Sequence, residues 1–227
     1  MVHTTIRALM KLNISNNKLV ELRGTGVFRV GLTQQQIQME GRGIDTMPTR
    51  VEIKEPDLSG VVALANAIKT NGALVSANLL HNYIGAEQAQ NLATVLKEHA
   101  TLKSLCGNKG NETELDMSGK DLGAEGAIML APEIVANGAL ASVNILKNDI
   151  KGEGLQAIEA ALKKSKTLKS ICGASGPELD LSGQSLGAED ARVVAIELKY
   201  NGAMTSLNIS NNNLGEIAQG PLPEGWK

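Results

Sequence analysis

The sequence predicts an α/β fold, a solenoid in which short parallel strands alternate with helices. Three observations lead to this prediction. An apolar pair spaced two residues apart recurs seven times along the chain, an asparagine follows the pair in four of these copies, and a helical apolar stripe follows five of them. One such unit cannot bury both its strand and its helix stripe, whereas stacked units can.

The repeated apolar pair marks the start of each unit. The spacing between successive pairs alternates between long and short, so two successive units span 64 to 66 residues. The seven pairs are Leu12/Ile14, Val51/Ile53, Ala77/Leu79, Leu115/Met117, Val143/Ile145, Leu179/Leu181 and Leu207/Ile209.

Two types of unit alternate. One type contains an asparagine and is represented by "LVSANLLHNYIG", in which Leu74, Ala77, Leu79, Asn82 and Ile84 occupy its regular positions. We expect the asparagine amide to bind backbone groups where the chain leaves the strand. The other type carries a glycine-rich insert, "GNKGNE" or "GASGPE", which predicts a loop at the rim. The segment "VEIKEPDLSG" is interpreted as a degenerate copy of this second type.

Helical stripes lie between the strand motifs. Apolar residues recur at i, i+3, i+4 and i+7 from Val61, Ala89, Ala127 and Ala191, with a weaker stripe from Leu155. Asn-Gly pairs follow three stripes, and we expect each pair to end its helix in a left-handed conformation. A proline at position 132 predicts that its helix is kinked or starts late.

The pattern L-x-x-L-x-L-x-x-N-x-L, together with helical halves such as "GAEGAIMLAPEIVANGAL", resembles the leucine-rich repeat proteins of the ribonuclease-inhibitor-like subfamily. The resemblance covers roughly residues 6–20 and 50–215. It implies a horseshoe of about seven units, with parallel strands on the concave face, helices on the convex face, and a protein partner bound on the concave face. The whole chain, 1–227, is expected to be one solenoid. Residues 21–49 are expected to be a degenerate unit or insertion, and 216–227 a tail or the start of a further segment.

Composition narrows the classes of function. Apolar residues make up 42% of the chain, aromatic residues only 2%, and the net charge is -2. The chain carries no long basic face of the kind that nucleic acid requires, and no apolar run long enough for a membrane span. Without an evident secretory signal, and with two cysteines, the chain is expected to be cytoplasmic.

The candidate binding residues are those that the strand alternation directs away from the core. Their centre column alternates asparagine with acid, which favours a mildly acidic docking face for a basic protein. The alternative is that these side chains simply solvate the strands, and Leu80 and Leu146 are either partner anchors or ordinary exposed residues. The candidates, including one histidine next to the repeated asparagine, are Glu52, Ser76, Asn78, Leu80, His81, Glu114, Asp116, Ser142, Asn144, Leu146, Glu178, Asp180 and Asn208.

Catalytic and metal sites are not expected, and no cofactor is predicted. Cys106 and Cys172 occupy matching positions two units apart, about 9–10 Å by strand spacing, which exceeds the reach of a disulfide. They are interpreted as reduced thiols packed at a turn. Asp116 and Asp180 are equally far apart, and an open strand face offers no pocket to raise the pKa of either acid.

The sequence therefore predicts a non-enzymatic protein–protein interaction module. Two alternatives remain open. One is a regulator of a small GTPase, implied by resemblance to the Ran GTPase-activating protein. The other is an element that assembles end to end through uncapped termini, because neither terminal motif is followed by a polar cap.

Overall fold

The computed structural model describes residues 11–13, 21–28 and 51–215, with side chains from residue 57 onward. Within these ranges strands and helices alternate from residue 51. The strands are β1 (Lys11–Asn13), β2 (Glu21–Phe28), β3 (Val51–Asp57), β4 (Ser76–Asn78), β5 (Glu114–Asp116), β6 (Ser142–Asn144), β7 (Glu178–Asp180) and β8 (Ser206–Asn208). The helices are α1 (Ser59–Thr70), α2 (Gly85–Glu98), α3 (Gly123–Ala136), α4 (Gly152–Lys164) and α5 (Ala188–Tyr200).

The short strands pair in parallel, as the repeat predicts. Strand β1 pairs with β4, β5 with β6, and β7 with β8, each in a register that aligns the same motif positions. Two of these pairs gain a third strand-like segment. The sequence interpretation placed both of these segments at turns. Residues 104–106 bridge to β4 and residues 170–172 bridge to β6. The described residues therefore form three rows of strand-like segments.

Strand β3 departs from the predicted arrangement. The sequence interpretation placed Val51 and Ile53 in the parallel stack, between the units of β1 and β4. Instead β3 pairs antiparallel with β2, and β1 pairs with β4 directly. The prediction was wrong at this point because an apolar pair two residues apart also suits an antiparallel strand. Strand β2 lies within residues 21–49, where a degenerate unit or insertion is expected.

The predicted helical stripes form most of the core, except in α5, where Val194 of the stripe is buried but Ala195 and Leu198 are exposed. In α2 the stripe residues Ala89, Leu92, Ala93 and Leu96 are all buried. Helix α3 packs between α2 and α4, and every residue from 126 to 134 is buried. Full burial of one aliphatic side chain contributes roughly 1.5–3 kcal/mol, so this central helix is a main source of stability.

The Asn-Gly pairs end helices, as predicted, but not in the predicted conformation. The residues that directly follow helices α1, α3 and α5 are Asn71, Asn137 and Asn201, whose φ angles are -85°, -80° and -88°. The left-handed prediction was wrong because the asparagine side chain itself turns the chain. Its Oδ1 accepts the N–H two residues on, at 3.0 to 3.2 Å.

Helix α3 continues through its proline. Pro132 lies inside the helix, which runs from Gly123 to Ala136 without interruption. Proline carries no N–H, so this position lacks one hydrogen bond of the helix. The gap is tolerated in a helix that is packed on both sides.

Candidate functional site: the strand face

The centre column of the strand face is built on one repeated local turn. Asn78 and Asn144 each accept the N–H of the residue two positions on, at 3.2 Å. Asp116, Asp180 and Asn208 accept the equivalent N–H at 3.0, 2.8 and 3.2 Å. Asparagine and aspartate both make this turn. The alternation of Asn with Asp therefore has a structural cause.

The two aspartates of the column remain ionised at neutral pH. The hydroxyl of Ser118 donates to Asp116 at 2.7 Å and lowers the pKa of that carboxyl group, assisted by the backbone N–H of Ser118. Hydrogen bonds from Ser182 lower the pKa of Asp180 in the same way. Since both side chains are exposed, each presents a negative charge to solvent.

The structure groups the predicted site residues into clusters. The register aligns Glu114 with Ser142 and Asp116 with Asn144 in one row. In another row it aligns Glu178 with Ser206 and Asp180 with Asn208. The acids of both clusters are exposed. The row that holds Asn78 has no acid at the equivalent positions of β4.

The serine column is largely covered. Ser76 and Ser142 are 5% and 7% exposed, because neighbouring residues pack over them. The Ser76 hydroxyl donates to the carbonyl of Asn108 at 3.0 Å, so the first glycine-rich insert lies against β4. Gly107, which starts this insert, has φ +83°, and a side chain there would approach the Asn78 Cβ to 3.1 Å. Glycine is therefore required where the insert leaves the strand row.

Leu80 and Leu146 are not exposed anchors. They are 5% and 1% exposed and belong to the core. The prediction was wrong because it extended the strand alternation beyond the strand. Strands β4 and β6 end at Asn78 and Asn144. The turn that follows each strand directs Leu80 or Leu146 into the core.

Glu52 does not lie on the parallel strand face. It belongs to β3 and pairs with Val27 of β2 in antiparallel register. The backbone of Glu52 is therefore outside the rows that hold the other candidates. The prediction for Glu52 was wrong because an apolar pair two residues apart also suits an antiparallel strand.

The ladder asparagines bind backbone groups, which confirms their predicted role. The Asn82 amide donates to the carbonyls of Leu79 and Leu80 at 2.9 and 3.1 Å. Asn148 donates to Ile145, Leu146 and also Met117 of the neighbouring unit, at 2.9, 3.1 and 2.8 Å. One asparagine thus serves two adjacent turns, which explains why the insert-type units have none.

Two buried glutamates close the ends of strand rows, and sequence reasoning missed both. Glu133 of α3 accepts the backbone N–H groups of Leu105 and Cys106 at 2.7 and 3.0 Å, and the Asn108 amide at 2.9 Å. Glu197 of α5 accepts the N–H of Ile171 at 2.6 Å. The two glutamates are 5% and 0% exposed. Their 64-residue spacing, inside apolar helix faces, was the signal that would have found them.

The cysteines lie on these same segments. Cys106 and Cys172 are buried free thiols at the ends of the segments that pair with β4 and β6, not at turns. Burial raises the pKa of both thiols, and the nearby Glu133 and Glu197 raise it further. Such thiols are poor nucleophiles at neutral pH.

The turns after the strands carry a second polar group. His81 has φ +61° and lies 3.7 Å from the carboxylate of Asp121, measured from Nδ1 to Oδ2. Tyr83, at φ +51°, is 70% exposed. It is an exposed aromatic residue at the rim, outside the strand positions from which the candidates were predicted.

The described residues form neither a metal site nor a membrane-spanning helix. Across the described ranges, no three His, Cys, Asp or Glu side chains are grouped to hold a metal ion. None of α1 to α5 is long and apolar enough to cross a bilayer.

The strand–turn–helix units, their parallel register and the asparagine ladder are the features of a leucine-rich repeat protein. The chain is similar to ribonuclease inhibitor from Sus scrofa, with 26% identity over 218 residues. The alignment covers 87% of this chain and 44% of that protein, so the chain spans less than half of the relative's length. No family model matches the chain. The similarity confirms the predicted resemblance to ribonuclease-inhibitor-like leucine-rich repeat proteins.

Proposed function

We propose that the chain is a non-enzymatic interaction module that binds a protein partner on its strand face and insert loops. In this proposal residues 1–227 form one solenoid of about seven units, with the strands on a concave face and the helices on a convex face. Residues 21–49 are an insertion or degenerate unit, and 216–227 a tail or the start of a further segment. The module acts in the cytoplasm.

The observation that carries the proposal is the exposed acidic pair in each of two strand rows. Glu114 and Asp116 share one strand, and Glu178 and Asp180 share the equivalent strand 64 residues later. All four side chains are exposed, and hydrogen bonds hold the pKa of both aspartates low. Complementary charge steers association and selects partners, so the partner presents a basic surface.

The comparison supports a protein as the ligand. Ribonuclease inhibitor is, by its name, a protein that acts on another protein, and this chain aligns with 44% of it. The residues of this chain that touch a partner are taken from the exposed and partly exposed candidates on the strand rows and the adjoining turn. They are Asn78, His81, Glu114, Asp116, Asn144, Glu178, Asp180 and Asn208.

A pull-down with a matched pair of variants tests this proposal. The strand-face variant carries Glu114→Gln, Asp116→Asn, Glu178→Gln and Asp180→Asn. These changes remove charge but preserve the turns, because asparagine makes the same turn at position 144. The control variant removes four exposed acids outside the strand rows, by Glu87→Gln, Glu98→Gln, Asp149→Asn and Glu153→Gln.

We expect the wild type and the control to capture the same basic proteins, and the strand-face variant to lose them. The capture should also weaken as salt is added, because salt screens exposed charges. If all three proteins capture the same partners at the same level, the strand face is not the binding surface.

A further inference from the structure

A groove on the helix side is a second candidate surface, distinct from the strand face. It lies between α2, α3 and α4 and has a volume of about 630 Å³. Its floor is apolar and includes Leu96, Ile128 and Ala131. This volume falls in the range of ligand-binding clefts, roughly 300–1,000 Å³.

Small residues leave the groove open. Ala136 of α3 and Ala157 and Ala160 of α4 line it where larger side chains would fill the space. Ala136 and Ala160 are exposed, and so is Val135 beside them, at 41%. The floor side chains are nearly covered, so the apolar surface within reach of a partner belongs to these residues at the edge.

Every charged side chain that lines the groove is a lysine. Lys97 is in the last turn of α2, Lys164 ends α4, and Lys103 lies between α2 and β5. No aspartate or glutamate lines the groove. Among the described residues none of the three lysines has an ion-pair partner, whereas Lys163 pairs with Glu159 at 3.3 Å.

The histidine at the groove adds no charge. His99 Nδ1 accepts the N–H groups of Thr101 and Leu102 at 3.2 and 3.0 Å. A nitrogen that accepts hydrogen bonds carries no proton, so the ring is neutral and its Nε2–H donates to the carbonyl of Ile68 at 3.1 Å. The positive charge at the groove therefore comes from the lysines.

Lysines in the last turn of a helix also complement the helix dipole. That explanation applies to Lys97 and Lys164 but not to Lys103, which lies outside the helices. Three unpaired cations around one apolar surface favour a ligand that is apolar on one side and anionic on the other. An amphipathic helix laid into a groove is a recurrent solution of this kind.

We propose that this groove binds an acidic amphipathic helix from a partner protein, with its apolar side on the alanine-lined edge and its carboxylates on Lys97, Lys103 and Lys164. This surface is on the helix side, and the proposal does not depend on the function proposed for the strand face. A partner engaged on both surfaces would be held more tightly than by either alone.

Fluorescence anisotropy with synthetic peptides tests the proposal on the full chain. The probe is a labelled peptide of about 14 residues, roughly four helical turns, with leucines on one side and glutamates on the other. A second peptide with lysines in place of the glutamates is the charge control. We expect saturable binding of the acidic peptide only, weakened by salt.

Matched variants locate the site. Lys97→Glu, Lys103→Glu and Lys164→Glu together should raise Kd for the acidic peptide by about tenfold or more, because like charges then face each other. The control reverses three lysines that do not line the groove, by Lys109→Glu, Lys166→Glu and Lys169→Glu, and should leave Kd within about threefold. Lysine-to-glutamine changes at the three groove positions replace the charge reversal if that variant fails to fold by circular dichroism.

A packing variant separates groove binding from general charge attraction. Ala160→Trp fills the edge and should weaken binding, whereas Ala195→Trp, on the exposed side of α5, should not. Equal binding of the basic peptide, equal effects of the two lysine sets, or an unchanged Kd with Ala160→Trp would each overturn the proposal. So would displacement of the peptide by a long-chain fatty acid at equal concentration. The neutralised strand-face variant should bind the acidic peptide like the wild type, so failure of one proposal is distinguishable from failure of the other.

Discussion

Removing the carboxylate of Glu133 should open the end of a strand row inside the protein. This side chain accepts the N–H groups of Leu105 and Cys106 and the amide of Asn108. Leu105 and Cys106 are 0% and 5% exposed, so water cannot replace the lost acceptor. In Glu133→Ala the N–H of Leu105 is left without an acceptor, whereas the N–H of Cys106 keeps the Ser104 hydroxyl at 3.0 Å.

The expected loss follows from that one backbone donor. Each buried polar group left without a partner costs about 1–3 kcal/mol. One such group, together with the cavity left by the side chain, predicts a decrease of about 2–4 kcal/mol in the free energy of unfolding. This is a large fraction of the total stability of a typical domain, about 5–15 kcal/mol.

Glu133→Gln should behave differently, because the amide oxygen still accepts the same N–H groups. Burial raises the pKa of Glu133 in the folded protein, so the fold favours the protonated side chain. The contribution of Glu133 is therefore fully present below its unfolded pKa, about 4.3, and is lost as the pH rises through the raised folded pKa. Relative to Glu133→Gln, the wild type should lose stability as the pH rises from about 4 towards neutrality.

Urea unfolding of the wild type and both variants across this pH range measures these effects. Glu98→Ala is the control, because Glu98 is exposed and its 3.9 Å pair with Lys69 is a surface salt bridge worth little. The argument fails if Glu133→Ala costs no more than the control, or if glutamine is as damaging as alanine. A wild type that gains stability over Glu133→Gln as the pH rises would contradict the assigned direction of the pKa.

Two further predictions concern packing and the asparagine ladder. Asn148→Ala removes the donor to three carbonyls and should lower the free energy of unfolding by about 2–4 kcal/mol, whereas Asn91→Ala, on an exposed helix surface, should change it by less than about 0.5 kcal/mol in urea titrations. Gly154→Ala should cost about 1–3 kcal/mol, because its Cβ would lie 2.6 Å from backbone of the neighbouring helix. Gly138→Ala, with nothing within 4 Å of its Cβ, serves as the control, and equal melting temperatures of the two glycine variants would refute the packing argument.

The helices and the ladder were predictable because their signals are local and repeated. The stripe of α2 fixes which face is buried by its 3.6-residue period alone. The ladder asparagine was predictable because a turn that leaves a strand exposes carbonyl groups, and Asn82 stands where an amide reaches them. Both inferences require no knowledge of distant residues.

The row-closing glutamates were not predictable in the same way. A glutamate inside an apolar helix face has no evident role in the sequence unless the N–H groups that donate to its carboxylate are known. Those donors belong to residues 104–106, whose strand character was hidden because Gly107 takes the place of the second apolar residue. Without that apolar residue the repeated apolar pair is missing. The sequence therefore does not indicate that the row contains a third segment, whose N–H groups need an acceptor.

The candidate site shows how the same residues can satisfy a repeat and still leave room for binding. The turn at the end of each strand requires an acceptor that reaches the N–H two residues on, and asparagine meets that need without charge. At Asp116 and Asp180 the turn is made equally well by aspartate, so the charge itself is not demanded by the fold. The exposed glutamates two positions earlier make no hydrogen bond to the turn. The negative charge is thus an addition to the scaffold, and this is the physical reason for placing partner recognition at Glu114, Asp116, Glu178 and Asp180 rather than at the asparagines.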